Sequence, residues 1–338
     1  MNTIKKINLI CPTNFRASLL NAAKTNKLNV ADYSYHTLPN NKLLRKIIGK
    51  IGFFFELYSF ISFNSSLFAL LVNYNYTGDD LILVIRGHYL SLRNKRILNI
   101  HNLRNIIVWS TDSIKRHKSQ NGILKYSSLI YLHDGGDIKL NNQYWMPFAF
   151  DEGIYYESDS LKDIDISLIG NIYSNKYLTR LNYLLKIIEA GLTEKYTCLY
   201  IGRVTGIINR LKLYKFRKSN LQRLDKISNN LLAQYIRRSK ICINILQDDG
   251  LMPINPMFFA IPACGTCMLT EKKPYFDFWL RENIDYVSVT KDNLLNVLDS
   301  LLNNEERIRT IETAGQNFAK GNSFAQCLKR VLNDYQTR

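Results

Sequence analysis

The chain has 338 residues, more than one core comfortably holds, so two domains of ordinary size are expected. Its 46% hydrophobic and 12% aromatic content exclude a disordered chain. A formal charge of +17 calls for an anionic partner: a nucleotide diphosphate, an anionic lipid or glycolipid surface, or nucleic acid. The basic residues come with no zinc-ligand spacing, helix-turn-helix signature or aromatic RNA-binding motif, which argues against nucleic acid.

Ile4 to Cys11 reads as a first strand, and Pro12 to Arg16 as a loop opening a helix from about Ala17. Its apolar run is too short for a signal-peptide core, which with six scattered cysteines in apolar runs points to the cytoplasm and a reducing compartment. From Lys42 to Ile51, Lys42, Arg45, Lys46 and Lys50 alternate with Leu43, Leu44, Ile47, Ile48 and Ile51 at helical spacing. This suits a helix on an anionic membrane surface, or an amphipathic surface helix followed by an aromatic-rich core helix. The apolar run to Val72 is interrupted by Glu56, Asn64, Ser65 and Ser66, so no window is expected to span a membrane. Leu81–Ile85, Asn105–Trp109 and Ser128–Leu132 are short apolar runs bounded by polar residues, as buried parallel strands are, with a basic helix-like segment from Ser91 to Asn102. Tyr144 to Asp151 closes this half, and Asp151 to Lys162 reads as a linker, which puts the first domain at 1–155.

Asp165–Gly170 restarts the pattern with a strand entering a Gly-Asn turn. Helix-like Leu178–Ala190, strand Thr197–Ile201, loop Gly202–Gly206, helix-like Asn229–Ser239 and strand Lys240–Leu246 follow, while residues 206–227 read as a mobile basic insertion or a solvated helix. The second domain is expected over 156–322. The alternation of strand and helix indicates an α/β protein with doubly wound sheets. Cys264-Gly-Thr-Cys267 has redox-motif spacing, but it sits at a helix end entering a strand, and core packing is the better reading.

The stretch from Asn255 to Thr270 is a helix-length apolar run that ends at Gly265 and passes into a strand, after the polar loop Gln247–Pro253. Met257-Phe-Phe-Ala-Ile-Pro-Ala-Cys-Gly265 resembles the Arg-x-Phe-Glu-Ala-x-Ala-Cys-Gly pattern of the GT-B glycosyltransferases, in the branch similar to the spore-maturation CgeB-type proteins and the group 1 transferases. Val84–Gly87, Val108–Asp112, Trp145–Pro147, Asp165–Gly170, Pro274–Phe278 and Tyr286–Val289 stand in that family's order, from roughly residue 80 to the C-terminus. The resemblance implies two Rossmann-like domains facing across a cleft, with a last helix, within 323–338, crossing back to the first. It also implies transfer of a sugar from a nucleotide diphosphate to a growing glycan or glycolipid without a metal cofactor. One departure stands out. Where related retaining enzymes place two carboxylates, the second of which holds the ribose, this chain has Met252 and Ala260, so Asp248 or Asp249 is a substitute.

Loops that end strands are the candidate sites in such sheets. On the donor side these supply Gly170, Asn171, Arg203, Asn255 and the N–H groups around Met257, with Ala260 and Gly265 in the signature, and Arg203 is alternatively a surface ion pair. On the acceptor side they supply Asn14, Arg16 and Asp137, with His88 and Asp112 as candidate bases for the acceptor hydroxyl. Each base has a structural alternative, His88 as a satisfied loop residue and Asp112 as a helix cap from Ser113. No Asp-x-Asp metal motif ends a strand, since Asp163-Ile-Asp165 precedes one. A catalytically inactive binding protein of the same fold, and less favourably a basic nucleic-acid binder, are the alternatives to a transferase.

Overall fold

The computed structural model describes residues 4, 6–41, 44, 48, 52–74, 80–103, 105–115, 117–173, 178–225, 227–246, 252 and 254–337. The chain divides into two units, one of Met1–Phe148 with Phe324–Arg338 and the other of Ala149–Ser323. The division falls ahead of the expected 155/156 boundary. Residues 151–162 hold no strand or helix but are no free linker, because Tyr155 is buried and the Arg237 guanidinium donates to the carbonyls of Ile154 and Tyr156 at 3.2 and 3.3 Å.

Unit 1 is a six-stranded parallel sheet in the order β2-β1-β3-β4-β5-β6, built from β1 (Lys6–Ile10), β2 (Val30–Asp32), β3 (Asp80–Ile85), β4 (Ile106–Trp109), β5 (Leu129–Leu132) and β6 (Gln143–Trp145). Leu9 pairs with Leu83, and Val84 with Val108. Strands β3, β4 and β5 are almost wholly buried, as a sheet covered on both faces demands. Its helices include α1 (Thr13–Thr25), α2 (Gly52–Val72) and α3 (Leu92–His101). Phe63, Leu67, Leu70 and Leu71 on one face of α2 pack with Ile82, Val84, Ile106 and Val108, each fully buried apolar side chain contributing about 1.5–3 kcal/mol. The run expected to be interrupted is one continuous helix, long and apolar enough by length and composition to cross a membrane. Asn64 does not break it, because its amide satisfies itself on the Phe60 and Tyr89 carbonyls at 2.8 and 2.9 Å. Of segment 42–51, only Leu44 and Ile48 lie within the described residues.

Unit 2 repeats the plan in the order β12-β11-β10-β7-β8-β9, again all parallel. The strands are β7 (Ile164–Ile169), β8 (Cys198–Ile201), β9 (Gln222–Leu224), β10 (Ser239–Ile243), β11 (Cys267–Thr270) and β12 (Val287–Ser288). The longer helices are α4 (Leu178–Glu189), α5 (Ile207–Tyr214), α6 (Asn229–Arg237), α7 (Met257–Ala263), α8 (Leu294–Leu302) and α9 (Glu305–Lys320). In α4, Arg180, Leu181, Tyr183, Leu184, Ile187 and Ile188 are buried, a stripe of helical period against the sheet. The expected basic insertion is part of this framework: α5 and β9 occupy it, and β9 pairs with β8 through Tyr200 and Arg223. Counted in chain order, the strands run third, second, first, fourth, fifth, sixth, so the order reverses between β7 and β10.

The last helix, α10 (Phe324–Gln336), belongs to unit 1. Phe324 meets the rings of Phe148 and Trp109 at 5.1 and 6.0 Å, the Asn26 amide donates to the Ala325 carbonyl at 2.9 Å, and the Tyr131 hydroxyl donates to Asp334 at 2.7 Å.

Candidate functional site

Parallel sheets bind ligands outside the carboxyl ends of the strands at the point where their order reverses. In unit 2 that point lies beyond β7 and β10. Beside it, at the carboxyl ends of β7, β8 and β9, Gly170, Asn171, Tyr173, Gly202, Arg203 and Asp225 line a cavity of about 370 Å³. A larger cavity of about 590 Å³ shares Gly202 and Asp225, but it extends under α5 and away from the reversal, so the smaller one is the better donor site.

The loop is built tightly. Gly170 has φ +138°, and a side chain there would meet the Arg180 guanidinium at 2.9 Å. The Tyr200 hydroxyl donates to the Gly170 carbonyl at 2.9 Å, and the Arg203 N–H donates to the Asn171 side-chain oxygen at 2.9 Å. Arg180, buried in α4, donates from one guanidinium nitrogen to the Asn171 carbonyl at 2.9 Å and from Nε to the Ile245 carbonyl at 3.0 Å. One side chain thus holds together the two strand-end loops at the reversal. Gly202 is forced by space: a Cβ would stand 2.2 Å from the Gly170 carbonyl oxygen. Gly202→Ala is therefore expected to destabilise unit 2 by about 1–3 kcal/mol. A urea midpoint equal to wild type would show that the loop yields instead.

The Arg203 side chain is about half exposed and lies 3.9 Å from Asp225, so the ion-pair alternative describes its resting partner. Several donor-side residues have local partners. Asn255 is a structural clip: its amide and that of Asn244 bond reciprocally at 3.0 and 3.2 Å, and its oxygen accepts the Phe258 N–H at 3.1 Å. The N–H groups after Met257 are engaged locally, Phe259 and Ala260 donating to the Pro256 carbonyl at 3.2 and 3.0 Å. Ala260 is fully buried in α7. Gly265 ends α7, and its carbonyl accepts from Lys162. Asp248 and Asp249 lie outside the described residues. Asp163 and Asp165 are taken by Arg238 and Lys240. All six cysteines are unpaired and buried, and burial pushes the Cys264 thiol up to about 12, the opposite of a redox thiol.

In unit 1, β3 and β4 end in a cluster of titratable side chains. His88, nearly buried, accepts the Tyr89 N–H on Nδ1 at 3.0 Å, so its proton sits on Nε2, 3.0 Å from Glu56 Oε2. Burial holds its pKa below the usual value, opposed by Glu56 and reinforced by Arg86 and His117. His117 Nε2 stands 3.6 Å from Asp112 Oδ2, which brings Asp112 into the same neighbourhood. Asp112 caps no helix, since none begins at Ser113. Asp137 is a buried clamp on that loop, accepting from Ser113 Oγ and the Ile114 N–H, both at 2.8 Å. Arg16 is tied to Asp32 at the end of β2, and Asn14 is exposed in the first turn of α1. Sequence reasoning missed Glu56 and His117. The signal for Glu56 was present: it is the one charged side chain in the stretch from Phe53 to Val72. His117 was hidden inside the basic run Lys115–Lys118.

Two all-parallel six-stranded units, one following the dinucleotide-binding strand order, define the GT-B architecture of glycosyltransferases. Residues 188–333, most of unit 2 and part of α10, match a family model described as glycosyl transferase-like. Sucrose-phosphate synthase of Thermosynechococcus elongatus superimposes with a TM-score of 0.63 over 98% of this chain and 99% of that one, at 13% identity. HepE of Anabaena, solved with UDP and glucose, superimposes with a TM-score of 0.61 over 99% and 100%, at 10% identity. TarM of S. aureus does so with a TM-score of 0.54 over 79% and 57%, at 10% identity. At these identities the likeness is one of fold. No curated protein matches the sequence.

Proposed function

We propose that the chain is a glycosyltransferase, moving a sugar from a nucleotide diphosphate to a glycan or glycolipid acceptor in the cytoplasm, beside the inner face of the cell membrane. The observation that carries this is the Gly170–Arg203 cavity at the ends of β7 and β8, beside the strand-order reversal, in a chain whose residues 188–333 are glycosyl transferase-like. A uridine diphosphate sugar is the first donor to try, because HepE has the same fold and was solved with UDP and glucose. In the reaction the bond from anomeric carbon to phosphate oxygen breaks, the acceptor oxygen bonds to that carbon, and its proton passes to a base. The Arg203 side chain meets the charge on the leaving diphosphate without a metal ion. The base is Glu56, oriented by His88, because the imidazole already uses both of its nitrogens.

Melting curves with UDP, GDP, ADP and their sugars test donor binding, since a ligand selective for the folded state must stabilise it. One nucleotide is expected to raise the melting temperature, and Arg203→Ala to weaken it about tenfold, the low end for a charged partner open to solvent. No shift with any of them at millimolar concentration would overturn the reading. The inactive alternative is favoured by Met252 and Ala260, where the family's carboxylates are missing. It predicts nucleotide stabilisation with neither donor hydrolysis nor transfer.

A further inference from the structure

We infer that the outer face of α2, with the basic flank supplied by α3, docks unit 1 on an anionic lipid bilayer. Phe53, Leu57, Ile61, Ser65, Phe68 and Val72 follow one another at intervals of four, four, four, three and four, which places them on a single face of the helix. Phe53, Ile61 and Val72 are 71%, 55% and 63% exposed. Among the described residues this face is largely exposed, with Arg93 over Phe68. The opposite face carries Phe63, Leu67, Leu70 and Leu71 into the core, and Asn94 of α3 donates to the Asn64 carbonyl at 2.9 Å. A membrane span would have to pull that face out of the sheet, so the helix lies on the bilayer rather than through it.

Charge chooses the occupant. Arg93 of α3 sets its guanidinium 3.3 Å above the Phe68 ring, placing a cation on the ridge itself. In α3, Arg93, Lys95 and Arg96 stand with no acidic residue, and Leu92 is 84% exposed. Unit 1 holds 22 Lys and Arg against 8 Asp and Glu, a formal +14, whereas unit 2 holds 23 against 20, a formal +3. The charge excess of the chain therefore belongs to the unit that bears the ridge. A second copy would bring two such surfaces together against their mutual repulsion, while anionic headgroups complement them. Phenylalanine and leucine then enter the headgroup boundary while arginine stems lie along it with their charges in the phosphate layer. The inference stands independently of sugar transfer, since it uses neither the donor cavity nor Glu56.

Flotation of the full chain with phosphatidylcholine vesicles, with and without about a third phosphatidylglycerol, tests it. Binding is expected only to the anionic vesicles and is weakened by about 0.5 M salt. Phe53→Ser with Ile61→Ser is expected to lower the partition coefficient about a hundredfold, and Arg93→Gln with Arg96→Gln about thirtyfold, with melting temperatures and any nucleotide-induced shift unchanged. Equal partition of variants and wild type, or no partition by wild type, overturns it. So does a wild-type dimer in light scattering that the serine variant dissolves without any vesicle binding. Should the serine variant unfold, the emission of Phe53→Trp, read as the difference from wild type, must move to the blue on anionic vesicles. Unmoved emission also overturns the inference.

Discussion

Arg180→Leu is expected to cost unit 2 about 3–5 kcal/mol and to abolish stabilisation by nucleotide. The guanidinium is buried beneath Gly170, and removing it leaves the carbonyls of Asn171 and Ile245 without their charged donor, at about 1.5–3 kcal/mol for each such bond. The same change uncouples the loop after β7, which lines the candidate donor cavity, from the loop after β10. Lysine should not rescue it, because a point ammonium cannot reach two diverging carbonyls as the planar fork does. For a unit of this size the cost corresponds to a fall of about 10 °C in melting temperature. Arg180→Leu and Arg180→Lys melts, taken with and without nucleotide, check both halves. A lysine variant that melts and binds as wild type would reduce Arg180 to one cation among several.

Arg180 also shows where sequence reading stops. It sits in a helix whose extent and apolar stripe were plain, and nothing in the string distinguishes it from a solvated arginine. Only the fold reveals that its neighbour in space is Gly170. Long, strongly patterned elements such as β3, β4, β7 and α4 were legible because burial imposes period and composition on them. The short edge strands β2 and β9 were not, because three residues pairing on one side carry little pattern; Gln222–Leu224 reads as basic surface until β8 supplies its partner. The signature stretch gave the helix and strand correctly, and within it Asn255 bonds Asn244, Ala260 is buried and Gly265 follows the end of α7. A motif reports that a segment is shared with a family, and buried positions in it are shared for packing as often as for chemistry. The acceptor side was half legible. His88 and Asp112 were picked from strand ends, but their partners Glu56 and His117 come from distant sequence positions and only topology brings them near.

That pairing changes what mutations in unit 1 should do. Glu56→Gln is expected to lower transfer to acceptor by about 10²–10⁴-fold with donor affinity unchanged, because a general base acts in the transition state. Its carboxylate is 45% exposed and faces the His88 Nε2–H, so one oxygen is oriented while the other remains open to an acceptor hydroxyl. His88→Gln keeps a donor toward Glu56 and should cost less, about tenfold to a hundredfold, since positioning is loosened and the base survives. The neutral state of His88 has its own signature. Its folded pKa is depressed below the ordinary 6.5, mainly by burial, so acidification charges the unfolded chain first. The stability it contributes is fully present above pH 6.5 and is lost as pH falls through the folded pKa. Wild type should therefore lose melting temperature between about pH 7 and 5 more steeply than His88→Gln, which has no proton to gain. Parallel pH profiles would show that His88 titrates alike in the folded and unfolded chain, and would remove the depressed pKa from the account. If Glu56→Gln transfers undiminished while Asp112→Asn does not, the base is Asp112, with His117 as its partner.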